Sequence, residues 1–333
     1  MANELTQNKK KVTIKDVAKE AGVSISVVSY VLNHSKNVSI SEATKKKVFD
    51  AANKLDYVPN RFASGMRTKR SKCIGIVAYW EIEGGIFAKM LNGISTAAEE
   101  NGYRIVLCSR HDTAEKYDYL DYFYDMTVDG IVFIAPYEEF GLIDEQEHIH
   151  KMQEAKIPFT VINGHTSLPG VSYVNIDFYG SAKLATKYLI RKGFSEITYV
   201  TPDLQYNELK ERYRGYHDAM HQANLKESVC NVKNVPNRIG EFRAVVANKS
   251  DTAQIVLKEA WKQKIDVPQQ FSIIACNTMP FSEYLFPSLS TVKVPGFEMG
   301  SMAARLVMDQ IEGRAGSDIE SPECSLMIRD SSI

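Results

Sequence analysis

The chain has 333 residues, 44% of them hydrophobic, with a formal net charge of −1. One core rarely grows past about 250–300 residues, so the length excludes a single small domain, and the apolar content excludes wholesale disorder. The near-neutral total hides a division, because residues 1–72 hold 15 Lys/Arg against 6 Asp/Glu, a net of +9 that leaves −10 for the rest. Such a front end suits either a polyanionic partner or a basic solvated tail.

Along the chain, residues 13–22 read as a short amphipathic helix. Ile14, Val17, Ala18 and Ala21 fall at i, i+3, i+4 and i+7, and Gly22 suits a left-handed stop. Ser24 is a good N-cap for a second helix through about residue 33. Its buried side would hold Val27, Val28, Val31 and Leu32, and its polar or exposed positions would include Ser26, Ser29, Tyr30 and Asn33. A third helix over about 41–55 turns Val48, Ala51, Ala52 and Leu55 inward. Two helices about a tight glycine turn make a helix-turn-helix, and three short helices flanked by lysines suit a major groove better than catalysis. Residues 60–67 are polar and interrupted by Gly65, marginal as an isolated helix, and 68–72 read as linker.

From residue 73 apolar strands alternate with helical stretches. Strands are predicted at 73–79, 105–108, 130–134 and 159–162, with helices at 87–101 and 116–126. A second series has helices at 181–192, 212–222 and 251–263 and strands at 197–200, 244–247 and 272–275. This rhythm predicts α/β lobes, two of them, each a parallel sheet covered on both faces and taking ligand beyond its strands' carboxyl ends. The acidic stretch 138–147 reads as an exposed loop and helix start.

Signals for an enzyme are missing. The sequence has no glycine-rich dinucleotide fingerprint, no phosphate loop and no G-x-S-x-G elbow. His217 and His221 stand at i, i+4 without the glutamate of a zinc protease, and they read as a solvated helix face, as do His148 and His150. No metal, cofactor or catalytic residue is expected. Cys73, Cys108, Cys230, Cys276 and Cys324 are scattered and odd in number, which suits a reducing cytoplasm. No run reads as a signal peptide or a membrane span, so a cytoplasmic protein without a membrane partner is expected.

One resemblance joins these readings. Thr13-Ile14-Lys15-Asp16-Val17-Ala18, Ala21-Gly22-Val23-Ser24, Val28-Ser29 and Val31-Leu32-Asn33, continued by Tyr57-Val58-Pro59-Asn60-Arg61 and Ala63, resemble the head and hinge of the lactose-repressor/galactose-repressor family. The resemblance implies that Ile25, Ser26 and Tyr30 occupy base-reading positions in the major groove of a palindromic operator. Thr13, Ser24, Ser29 and Asn33 would then contact phosphates. Asn60, Ala63 and Met66 would belong to a hinge helix formed only when two copies meet in the minor groove, with Met66 as the wedge between base steps and Ala63 against its partner copy. Where Tyr30 stands the family commonly has arginine, so a guanine fork is absent here. The loop 34–40 is also about two residues longer than usual.

Downstream, Asp129-Gly130-Ile131, Asp177 with Gly180, Gly193, Arg212 with Gly215-Tyr216, Ala247-Asn248 and the stretch Pro287 to Val292 resemble the family's core, a fold shared with periplasmic sugar-binding proteins. The implied organisation is a helix-turn-helix domain at 1–59, a hinge and linker at 60–72, and a two-lobed effector-binding and dimerisation domain at 73–333. Lobe one would take about 73–174 plus 293–322, and lobe two about 175–292 plus 323–333. The implied effector pocket holds Tyr79, Trp80, Phe87, Arg110, His111, Tyr137, Phe178, Arg212, Asn248 and Asn277. An arginine, amides and aromatic rings suit a polyhydroxylated ligand, a sugar or sugar derivative. Three departures fall in that site. Lys249 replaces the usual aspartate after Asn248, Asn277 stands where an acidic residue generally binds sugar hydroxyls, and an Asn-Pro-Phe-Phe stretch is reduced to Gly85-Ile86-Phe87. The implied function is a homodimeric transcription regulator, a repressor, controlled by that small molecule.

Overall fold

The structure is a computed structural model that describes residues 12–32, 38–57, 70–78, 85–108, 117–135, 144–164, 168–314 and 322–332. Contacts divide the chain into two units, 1–69 and 70–333. The first unit is a three-helix head: α1 (Ile14–Ala21), α2 (Ile25–Leu32) and α3 (Glu42–Lys54). The Asp16 carboxylate accepts from the Thr13 backbone N–H at 2.8 Å and from its hydroxyl at 2.7 Å, which opens α1. Gly22 closes it at φ +66°, a left-handed conformation that glycine adopts without a Cβ penalty. Ser24 and Ser41 accept from the backbone N–H groups of Val27 and Thr44, both at 3.3 Å, and start the next two helices. Val17, Ala18, Val28, Val31, Val48, Ala51 and Ala52 fill a small common core.

The second unit holds two sheets. The first has the order β2-β1-β3-β4-β5, all parallel, from β1 (Cys73–Ala78), β2 (Arg104–Leu107), β3 (Gly130–Ile134), β4 (Phe159–Ile162) and β5 (Ser172–Val174). Ile74, Ile76, Val132 and Ile134 face a core shared with α4 (Gly85–Glu100), while Val77, Ile131 and Phe133 face the opposite one. The opposite core is covered by α5 (Tyr119–Tyr124) and α6 (Glu145–Glu154). Strands buried on both faces explain the unbroken apolar runs in the sequence.

The second sheet has the order β11-β10-β9-β8-β6-β7. Its strands are β6 (Ile197–Thr201), β7 (Ser228–Asn231), β8 (Ala244–Ala247), β9 (Ser272–Ala275), β10 (Ser290–Lys293) and β11 (Ser325–Met327). Only the β10–β11 pair is antiparallel. Around it lie α7 (Phe178–Arg191), α8 (Asn207–Gln222), the single turn α9 (Val235–Arg238) and α10 (Ser250–Lys262). The last helix, α11 (Gly296–Ile311), packs on α4 of the first sheet, and β11 then returns to the second. The chain thus passes between the sheets after β5, after β10 and after α11.

Several expectations are corrected. The acidic stretch does not stay a solvated start, because α6 runs ten residues and buries Glu145, His148, Ile149 and Met152. His148 is fully buried, its Nδ1 3.0 Å from the Tyr119 hydroxyl, so it is a core residue and not part of a solvated face. Helix α8 starts five residues before its expected boundary, which places Arg212 inside the helix. Strands β5, β7 and β10 were not expected, nor was the turn α9.

Candidate functional site

Two regions carry the candidate chemistry. On the head, Ile25, Ser26 and Tyr30 form an exposed strip of α2, with Ile25 44% and Tyr30 40% exposed. These half-exposed apolar side chains beside Ser26 give the strip a surface that can pack against a partner. Thr13 and Ser24 are also exposed, at the starts of α1 and α2, where free backbone N–H groups and the helix dipole favour an anion. Ser29 departs from the expected pattern. It is 5% exposed, turned into the head between Val28 and Tyr30, so its hydroxyl does not present itself as a surface phosphate contact. Asn33, Asn60, Ala63 and Met66 lie outside the described residues.

On the body, a solvent-open cleft lies between the two lobes. Ile86 and Lys89 of α4 line it from the first lobe, and Ile176 and Val294 come from two segments that cross between lobes. Arg212, Asn277, Thr278 and Met279 line it from the second. A Cβ on Gly85 would come within 2.8 Å of Pro280, so the lobes meet at the edge of this cleft. Its position beyond the carboxyl ends of β8 and β9 is where parallel sheets of this kind take ligands.

Arg212 is the centre of the site. It is 1% exposed, its guanidinium lies 4.7 Å from the Phe178 ring centroid, and its Nε and Nη1 have no hydrogen-bond partner. A buried guanidinium with open donors is costly without a ligand. Asn277 follows β9, and its Oδ1 accepts from the Ser250 N–H at 2.7 Å. Asn248, 1% exposed, accepts from the Tyr199 hydroxyl at 3.2 Å and keeps its Nδ2 open. Burial pushes the Tyr199 hydroxyl and the Cys276 and Cys324 thiols up, both thiols to about 12, against a smaller opposing pull from Arg212. All three groups are neutral at physiological pH.

Of the expected pocket residues, Arg212 and Asn277 line the cleft together, Phe178 supports Arg212, and Asn248 stands behind it through Tyr199. Phe87 is a correction. It is 1% exposed in the core of Ile74, Met90 and Ile94, because that turn of α4 directs Ile86 and Lys89 to the cleft instead. Tyr79, Trp80, Arg110, His111 and Tyr137 lie outside the described residues. Sequence reading placed Ile86 in the site only as part of the stretch Gly85-Ile86-Phe87, and it missed Lys89, Ile176, Thr278, Met279 and Val294. Only Thr278 and Met279 carried a signal, as the neighbours of Asn277. Elsewhere, His217 pairs with Glu227 at 2.7 Å, and its ring stacks on His221. Among the described residues no group of three potential metal ligands occurs, and no helix is long and apolar enough to cross a membrane.

A head with an exposed helix-turn-helix face, joined to two parallel sheets around a cleft, defines a DNA-binding regulator with a ligand-sensing body. Residues 13–60 match the bacterial regulatory proteins of the lacI family. Residues 72–248 match the periplasmic binding proteins and sugar binding domain of that family, and 186–332 match a periplasmic binding protein-like domain. The HTH-type transcriptional regulator RegA of Clostridium saccharobutylicum is 30% identical, over 96% of this chain and 99% of its own length. The transcriptional regulator CelR in complex with cellobiose is 25% identical, with a TM-score of 0.64 over 96% of this chain and all of that one. The Lac repressor dimer bound to operator and an anti-inducer shares the fold at 19% identity, with a TM-score of 0.77 over 97% of this chain and all of that one. The chain belongs to the lacI family of bacterial regulatory proteins: it is a transcription regulator with a sugar-binding type of sensor, and not an enzyme.

Proposed function

We propose that this regulator is a cytoplasmic repressor that binds a palindromic operator as a homodimer and is switched by a small polyhydroxylated effector in the interlobe cleft. The observation that carries the reading is Arg212, a buried cation with open donors facing a cleft between two lobes. Effector contacts made by both lobes bias their arrangement, and that arrangement sets the spacing of the two hinges and so the affinity for DNA. Ile25, Ser26 and Tyr30 read bases, Thr13 and Ser24 hold phosphates, and the hinge residues Asn60, Ala63 and Met66 enter the minor groove. The proposed layout has head and hinge up to residue 72 and the two lobes from residue 73 onward, while the contacts divide the chain three residues earlier, at 69/70.

A dimer fits the exposed apolar residues of the second lobe. Trp261 is 81%, Tyr284 80% and Phe286 fully exposed, an arrangement that a lone soluble unit rarely keeps. It also suits one head reading half a palindrome.

Salt provides the test. With about six to ten phosphates neutralised, operator affinity should fall by about 10³–10⁵ between 50 and 200 mM salt. Fluorescence anisotropy on a selected operator measures this, and a flat response would contradict the operator role.

A further inference from the structure

Among the described residues that line it, the cleft offers more hydrogen-bond donors than acceptors. Resting on the reading of this cleft as the effector site, we infer that the effector is an anion: a sugar-sized molecule whose phosphate or carboxylate binds Arg212, with Lys89 and the Asn277 amide adding a second charge and a further donor. Among the described residues, the polar groups that line the cleft are the Arg212 guanidinium, the Lys89 ammonium, the Asn277 amide and the Thr278 hydroxyl. Asn277 has its oxygen occupied by the Ser250 N–H at 2.7 Å, so what it presents is its NH₂. Thr278 is engaged at 2.8 Å with the Thr291 hydroxyl and at 3.2 Å with the Val292 carbonyl. No carboxylate lines the cleft among the described residues.

Among the described residues, Arg212 has no ion-pair partner. Two described carboxylates belong to its surroundings: Glu208, one turn earlier on α8, and Asp177, which caps α7 by accepting from the Gly180 N–H at 2.6 Å. Neither stands at ion-pair distance from Arg212. Tyr199, Cys276 and Cys324, which feel its charge, are kept neutral by burial. Lys89 is exposed, with no ion pair among the described residues. Sugar hydroxyls both donate and accept, so a neutral sugar would leave its hydroxyl hydrogens facing donors. A phosphate or carboxylate only accepts, and it matches a fork of guanidinium N–H groups. The apolar walls, Ile86, Ile176, Met279 and Val294, are left for the uncharged part of the ligand.

Thermal melting of the full chain, at constant ionic strength in chloride, decides it with four probes: inorganic phosphate, glucose 6-phosphate, gluconate and glucose. Phosphate is expected to raise the melting temperature by a few degrees once it exceeds its Kd about tenfold. Glucose 6-phosphate against gluconate then shows which anion the site prefers. The phosphate shift should vanish in Asn277→Asp, which places a carboxylate in the cleft without changing side-chain volume, and should shrink in Lys89→Met, an exposed substitution that keeps the fold. A shift with glucose but with none of the three anions overturns the inference and leaves the cleft as the effector site. A phosphate shift of equal size in the wild type and both variants means an adventitious ion only and also overturns it. If none of the four probes shifts the protein, the inference falls together with the reading of the cleft.

Discussion

Arg212→Met is expected to melt higher than the wild type without ligand, and to lose the response to effector altogether. The wild-type guanidinium is 1% exposed with two nitrogens unpartnered, and a buried charge without a counter-ion is a standing cost to the folded state. Methionine keeps an apolar side chain beside the Phe178 ring and removes the charge, a gain of about 1–3 kcal/mol set against a smaller lost cation–π contact. The same change removes the fork that meets the ligand, so affinity should fall about 100-fold or more, as truncating one partner of a buried charged pair costs about 2–5 kcal/mol. Operator binding by the ligand-free protein should persist. A ligand-free melting temperature that drops by several degrees would show Arg212 to be a structural residue, not a binding one.

The second large effect lies at the crossing of α4 and α11. A Cβ on Gly300 would sit inside the Met90 carbonyl oxygen, and a Cβ on Gly93 inside the Phe297 carbonyl oxygen. Each glycine therefore lets one helix lie on the backbone of the other, and no side-chain rotation relieves the clash. Gly300→Val is expected to cost about 3–5 kcal/mol and to lower the melting temperature of the body by about 10 °C. The head, a separate unit with its own core, should keep its helical signal. Because α11 carries the chain away from and back to the second lobe, partial melting here should also weaken ligand binding. Wild-type melting in this variant would show that the two helices separate at little cost.

The elements that sequence reading located well are those whose apolar residues do the packing. Strands β3, β4, β8 and β9 were legible to the residue because both faces are buried and the runs are unbroken. The head was legible from its glycine stop and its serine caps. What failed did so where polar atoms stand in apolar positions. In α6, Glu145, His148, Ile149 and Met152 form the inward face at i, i+3, i+4 and i+7, but two of the four are polar, which hides the helical period. Ser29 misled in the same way, because a serine on a helix face reads as surface and here is buried. Strand β7 was missed because it is a four-residue edge strand with Cys230 as its one buried residue. In the cleft, Arg212 and Asn277 were marked by the family pattern. Ile176 and Val294 are ordinary apolar residues, made into cleft walls only by where the chain crosses between lobes.

The most direct test of the account is selection of genomic fragments by the purified full-length protein, with sequencing of what is retained and the mass of the complex measured by light scattering. A recurrent palindrome bound by two copies of the chain, with occupancy altered by the ligand that raises the melting temperature, is the predicted result. Retention of fragments with no shared motif, by a chain that stays a single copy, would contradict it.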